Sequence, residues 1–284
     1  MILLFGVAVA AACAWILYKN AETEFSKILS VLQILWLIPV IATYGQLSAS
    51  IWPSAGNIKM VPLILMSLAA VSAIKGNGTA SRCSCTIAWF AGIMLAVLLA
   101  AGSKQININD LVPNPGPISA EIMLMLLLPV TTVSISNHEK KTAIAPFLVS
   151  AFVTVFSVIT TGTLSSRLAM AEQWPFYESA KGYKLFDVAQ RFEALVSVAS
   201  SICYFMLFSL LFRIVGNQTK RVREGAEKAG IILSLGLSIT IELLLMPISA
   251  GYLVISGAIL WLLWPFGEYL KNMWKKMKKS ENSS

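Results

Sequence analysis

Apolar and polar positions along this chain come in long blocks. Runs near 2–18, 28–50, 60–74, 86–102, 119–136, 143–164, 192–215, 229–247 and 250–267 are almost free of charge, with polar stretches between them. Most approach the length of about 20 residues with which an α-helix crosses the hydrocarbon of a bilayer. The third and fourth are short, and the second is long enough to tilt or bend. Barrel strands would instead alternate apolar and polar residues over about ten positions, and these runs do not alternate. The pattern predicts an all-α polytopic membrane protein with about nine transmembrane helices. A single membrane domain spans residues 1–270, and a basic cytoplasmic tail follows at 271–284.

Composition strengthens this reading. Hydrophobic residues make up 57% of the 284 positions and charged residues 13%, against about 25% charged in soluble domains. Mean hydropathy is +0.73. The net charge of +8 would suggest nucleic acid in a soluble domain. Here the basic residues lie between apolar runs and at the C-terminus, so they report topology and no nucleic-acid partner is expected. Sixteen of the 22 Lys and Arg follow odd-numbered segments and six follow even-numbered ones. That asymmetry places the C-terminus in the cytoplasm and the N-terminus outside.

The chemistry classes narrow quickly. Cys13, Cys83, Cys85 and Cys203 show no metal spacing, and the single histidine, His138, has no ligand neighbours; no metal or cofactor is expected. There is no HExxH, GxSxG, intramembrane aspartate pair or P-loop, so an enzyme is not expected. Met1 runs directly into apolar residues without the basic flank of a signal peptide. This first segment reads as a second helix whose predecessor is missing. The "MPISAG" turn at 246–251 makes segments eight and nine an antiparallel pair. The tail "YLKNMWKKMKKSENSS" is expected to lie on anionic lipid at first and then fray.

Three motifs then occur in order. "VPLILMSLAAVSAIKGNGTASR" carries Ala73, Gly76 and Arg82. "ININDLVPNPGPIS" carries Asn109, Leu111 and Pro113. "QRFEALVSVASSICYFMLFSLLF" carries Arg191, Glu193, Ala194 and Leu195. In order and spacing, over roughly 30–270, they resemble the fourth helix, the connection before the sixth helix and the eighth helix of the spore germinant-receptor B-subunit family. That family belongs to the amino acid/polyamine/organocation permease superfamily. The resemblance implies a permease-like inverted-repeat (LeuT-type) bundle. The family has ten helices with both ends cytoplasmic, so alignment on the motifs leaves this chain lacking the family's first helix. The resemblance further implies a nutrient ligand such as an amino acid, other germinant-receptor subunits (an A-type membrane subunit and a C-type lipoprotein) as partners, membrane lipid around the chain, and the spore inner membrane as location.

Candidate site residues follow from the pattern and the resemblance together. Segment five, "AEIMLMLLLPVTTVSIS", would match the superfamily's broken sixth helix. Pro129 frees a backbone carbonyl there, and Thr131, Thr132 and Ser134 can satisfy freed groups or reach a ligand; an ordinary proline kink is the competing reading. Glu242 lies within segment eight. A carboxylate in hydrocarbon is expensive and usually faces the bundle interior with a partner. Glu121 sits nearer an interface. In segment two, Tyr44, Gln46 and Ser48 form a polar run that would line a substrate path, and Gly45 could let helices approach closely. Arg191 and Glu193 stand at the outer mouth of segment seven, after an aromatic-rich loop that could form a lid. They are the gating candidates, with a helix start and an interfacial belt as the alternative. The expected function is a permease-like subunit that senses or transports an amino acid. An ion-coupled amino-acid transporter and a non-transporting membrane scaffold or assembly subunit remain open.

Overall fold

Ser26 starts the first helix. Its hydroxyl accepts the N–H of Leu29 at 3.3 Å, an N-cap that satisfies one of the donors a helix start leaves open. The computed structural model describes residues 26–50, 60–76, 192–244 and 250–281, with further helical positions at 89, 92–93, 96–97, 100, 102, 159, 162–164 and 168. Among the described residues the regular structure is all helical, with no strand. In chain order the helices are α1 (Lys27–Ser50), α2 (Met60–Ile74), α3 (Phe192–Val222), α4 (Glu227–Leu244), α5 (Ala250–Ala258) and α6 (Trp264–Glu281). A π-helical turn, Ile259–Leu263, joins the last two.

α1 and α2 coincide with the second and third apolar runs. Two glycines act as stops where the chain must turn. Gly76 has φ +99° and donates to the Ala73 carbonyl at 3.2 Å, ending α2 in the left-handed conformation that glycine adopts without steric cost. This accounts for the glycine of the Ala73–Gly76 motif. Gly225, at φ +80°, turns α3 into α4, and Lys220 pairs with Glu227 across that turn at 3.5 Å. α3 runs on past the seventh apolar segment to Val222, so Arg213, Lys220 and Arg221 lie on a helix and not in a loop.

α1, α2, α3 and α4 pack around a shared core. Leu37, Ile41, Met66, Phe208, Leu211 and Phe212 are almost fully buried in it. α3 and α4 approach closely because position 230 is glycine: a Cβ there would collide with the Thr219 side chain.

The 250–268 segment runs antiparallel to α1 and is joined to it by polar contacts at three levels. Trp36 Nε1 donates to the Leu253 carbonyl at 2.9 Å and to Ser256 Oγ at 3.1 Å. Gln33 Nε2 donates to the Leu260 carbonyl at 3.1 Å. The Ser26 N–H donates to Glu268 Oε2 at 3.3 Å, which sets a carboxylate at the positive end of α1. The middle contact has a local cause. Trp264 N–H bonds to the Ile259 carbonyl in the π register. The next donor in that register would be residue 265, which is proline and has no N–H. The Leu260 carbonyl is thereby orphaned, and the Gln33 amide fills it from the neighbouring helix.

α4 has an inverted polarity. Ser234, Ser238 and Glu242, spaced four residues apart, are buried, while Ile232, Leu233, Leu237, Leu243 and Leu244 are exposed, Leu244 at 77%. A helix at a water interface shows the reverse. Among the described residues, Lys27–Ala49 and Ser197–Val222 are long and apolar enough to cross a membrane, and Met60–Ile74 is a shorter apolar helix. These features point to membrane association.

Candidate functional site

The polar face of α4 meets the second half of α1. Pro39 lies inside α1, so the Leu35 carbonyl lacks its usual helical donor and the helix is open to distortion there. Two side-chain hydroxyls serve the backbone at this point. Thr43 Oγ1 donates to the Pro39 carbonyl at 2.8 Å. Ser238 Oγ, from α4, donates to the Ile38 carbonyl at 3.1 Å. Ser238 thus fixes the register of α4 on α1, and Glu242 follows one turn later on the same face.

Glu242 reaches the bundle interior through the gap at Gly45. A Cβ at position 45 would stand 2.8 Å from Glu242 Oε2, 3.0 Å from its Cδ and 3.3 Å from Met66 Cε. The carboxyl therefore lies against bare backbone of α1, with the Met66 thioether of α2 beside it. The glutamate is 8% exposed. An ionised carboxylate in hydrocarbon costs several kcal/mol unless it is paired or solvated. Ser48 Oγ donates to the Gly45 carbonyl at 2.9 Å.

Next to Gly45, Tyr44 is buried with its ring 6.3 Å from that of Tyr204 on α3. Tyr204 in turn lies 6.0 Å from Phe208. Three helices therefore meet at one point, Gly45 of α1, Met66 of α2 and Glu242 of α4, and the Tyr44–Tyr204 ring pair joins α1 to α3 from the position next to Gly45. The point combines one acidic group with a glycine gap, and a ring pair lies on the neighbouring position of α1.

Of the residues singled out in the sequence, the structure seats Glu242 against Gly45 and buries Tyr44 against Tyr204, with Gln46 half-buried on the same turn of α1. Glu193 falls in the first turn of α3. Pro129, Thr131, Thr132 and Arg191, together with Glu121 and Ser134, lie outside the described residues. Met66, Tyr204 and Ser238 were not anticipated. The i, i+4, i+8 spacing of Ser234, Ser238 and Glu242 was the available signal for the last of these. For Met66 and Tyr204, nothing in an apolar run marks which residue will face a glutamate or a second tyrosine. Among the described residues no three or more His, Cys, Asp or Glu side chains come together as metal ligands would.

Comparison with protein-family models, with curated proteins and with solved structures finds no match to this chain.

Proposed function

We propose that this protein is a permease-like integral membrane subunit of a spore germinant receptor, which binds an amino acid or a similar small nutrient. The observation that carries the reading is the buried Glu242 carboxyl seated against the Gly45 backbone, with Met66 beside it, where three helices meet. A permease-like protein needs polar groups held inside an apolar bundle, at a gap where a ligand can approach backbone. Glu242 would face the ammonium group of the ligand, and Tyr44 and Tyr204 would wall its side chain. The motifs at 73–82, 109–113 and 191–195 supply the family assignment. The inverted polarity of α4 supports a multi-pass bundle, with the nine apolar runs as spans, the C-terminus cytoplasmic and the N-terminus outside.

The test is thermal unfolding of the purified protein in detergent against a panel of L-amino acids. A ligand that binds only the folded state adds about 2.7 kcal/mol at a hundredfold excess over its Kd. A selective rise in midpoint that disappears in Glu242→Gln supports the reading, and no rise with any amino acid refutes it. A buried carboxyl that could carry a coupling proton also fits an ion-driven amino-acid transporter. Proteoliposome uptake under an imposed pH gradient separates the two: the transporter gives gradient-dependent flux, and the sensing subunit binds without it.

A further inference from the structure

α6 continues for 18 residues beyond the π-helical turn, as far as Glu281. The tail is thus helical where fraying was expected. Glu268 locates it relative to the bundle. One carboxylate oxygen accepts the Ser26 N–H at 3.3 Å, and the other accepts Trp264 Nε1 at 3.1 Å. Ser26 is the N-cap of α1, the point at which that apolar helix begins. Glu268 is therefore level with the boundary of the apolar zone, and α6 continues past the start of α1 from there.

An apolar face nevertheless continues past this level. Leu270 is 48% exposed, Met273 42% and Trp274 72%. At about 100° per residue, Phe266, Tyr269, Leu270, Met273, Trp274 and Met277 occupy one arc of the helix. Positions 271, 275, 278 and 279, all lysine, fall on the opposite arc, and position 276, the fifth lysine, borders the apolar arc beside position 269. The segment holds five lysines against two glutamates. In water this apolar face would stand exposed just outside the bundle.

We propose that α6 is an interfacial helix that binds an anionic lipid surface. It lies along the cytoplasmic leaflet with Leu270, Met273 and Trp274 in the headgroup–acyl boundary and its lysines among anionic headgroups. Charge complementarity selects this occupant. A helix with one apolar and one lysine-rich face fits a surface that is apolar beneath and negative above, and the aromatic residues Trp264, Tyr269 and Trp274 suit that depth. The Glu268–Ser26 contact makes the helix a fixed rim on α1.

The experiment uses the full-length chain carrying a photo-reactive diazirine amino acid at Leu270 or, separately, at Trp274. The protein is reconstituted in vesicles of phosphatidylcholine with or without phosphatidylglycerol, illuminated, and its adducts are identified by mass spectrometry. The expected result is lipid adducts at both positions, with phosphatidylglycerol enriched over its share of the vesicle. Changing Lys271, Lys275, Lys278 and Lys279 to Gln should bring that enrichment back toward the share of phosphatidylglycerol in the vesicle, most clearly at low salt. Predominantly water adducts would overturn the proposal by showing a solvated tail. Peptide adducts would overturn it by showing that protein covers this face. Lipid adducts without preference for phosphatidylglycerol would remove the anionic part of the assignment.

Discussion

Gly45→Ala is the sharpest test of how the locus is built. The new Cβ would lie 2.8 Å from Glu242 Oε2 and 3.3 Å from Met66 Cε, inside normal contact distance. Replacing glycine by alanine within a helix favours folding by about 1 kcal/mol. Overpacking of this kind costs about 1–3 kcal/mol, and the atoms in the way belong to the ends of two flexible side chains. Glu242 can yield by leaving its rotamer, at about 0.5–1.5 kcal/mol. The net loss of stability is therefore small, about 0–2 kcal/mol, but the carboxyl is displaced from the α1 backbone. Gly45→Ala should fold, and it should lose the ligand-dependent rise in melting temperature that wild type is expected to show. A double-mutant cycle isolates the contact. In a Glu242→Ala background the carboxyl is gone, and Gly45→Ala should become neutral or stabilising. A coupling of about 1 kcal/mol or more is expected, measured by unfolding in mixed micelles. Additive single and double variants, or a Gly45→Ala protein that responds to ligand like wild type, would refute the packing argument.

Other contacts give independent outcomes. Trp36→Phe removes the donor shared by Leu253 and Ser256 while keeping an aromatic ring, and should destabilise by about 1 kcal/mol, read as a lower melting temperature. Gly230→Ala places a Cβ into Thr219, so it should destabilise the α3–α4 hairpin by about 1–3 kcal/mol in spite of the better helix propensity of alanine, measured as a lower unfolding midpoint. Gln218 is almost fully buried and its Oε1 has no hydrogen-bond partner among the described residues; Gln218→Met should leave the melting temperature unchanged or raise it.

Much of the helical layout could be read from the sequence, and for a physical reason. An uninterrupted apolar run of this length has few ways to satisfy its backbone except as a helix, so α1 and α2 fall where the second and third runs lie. Local chemistry also sufficed for special positions. Gly45, flanked by polar residues in an apolar run, suggested a close approach between helices. Glu242, a carboxylate in such a run, suggested an inward-facing group. The ends of helices were harder to see. α3 passes through Arg213 to Val222, because straight-chain basic residues are good helix formers and hydropathy reports the solvent and not the backbone.

Tertiary structure alone decided the pairings. Ser238 meets the Ile38 carbonyl, Gln33 the Leu260 carbonyl and Glu268 the Ser26 N–H, across more than 190 residues of chain in each case. Periodicity says which residues share a face but not which neighbour that face meets. The π-helical turn at 259–263 shows this most clearly. Pro265 marks a missing donor in the sequence, but whether the helix breaks or bridges the defect depends on a donor from elsewhere. That donor is Gln33, and with it the helix runs on through the defect and carries α6 to the edge of the bundle.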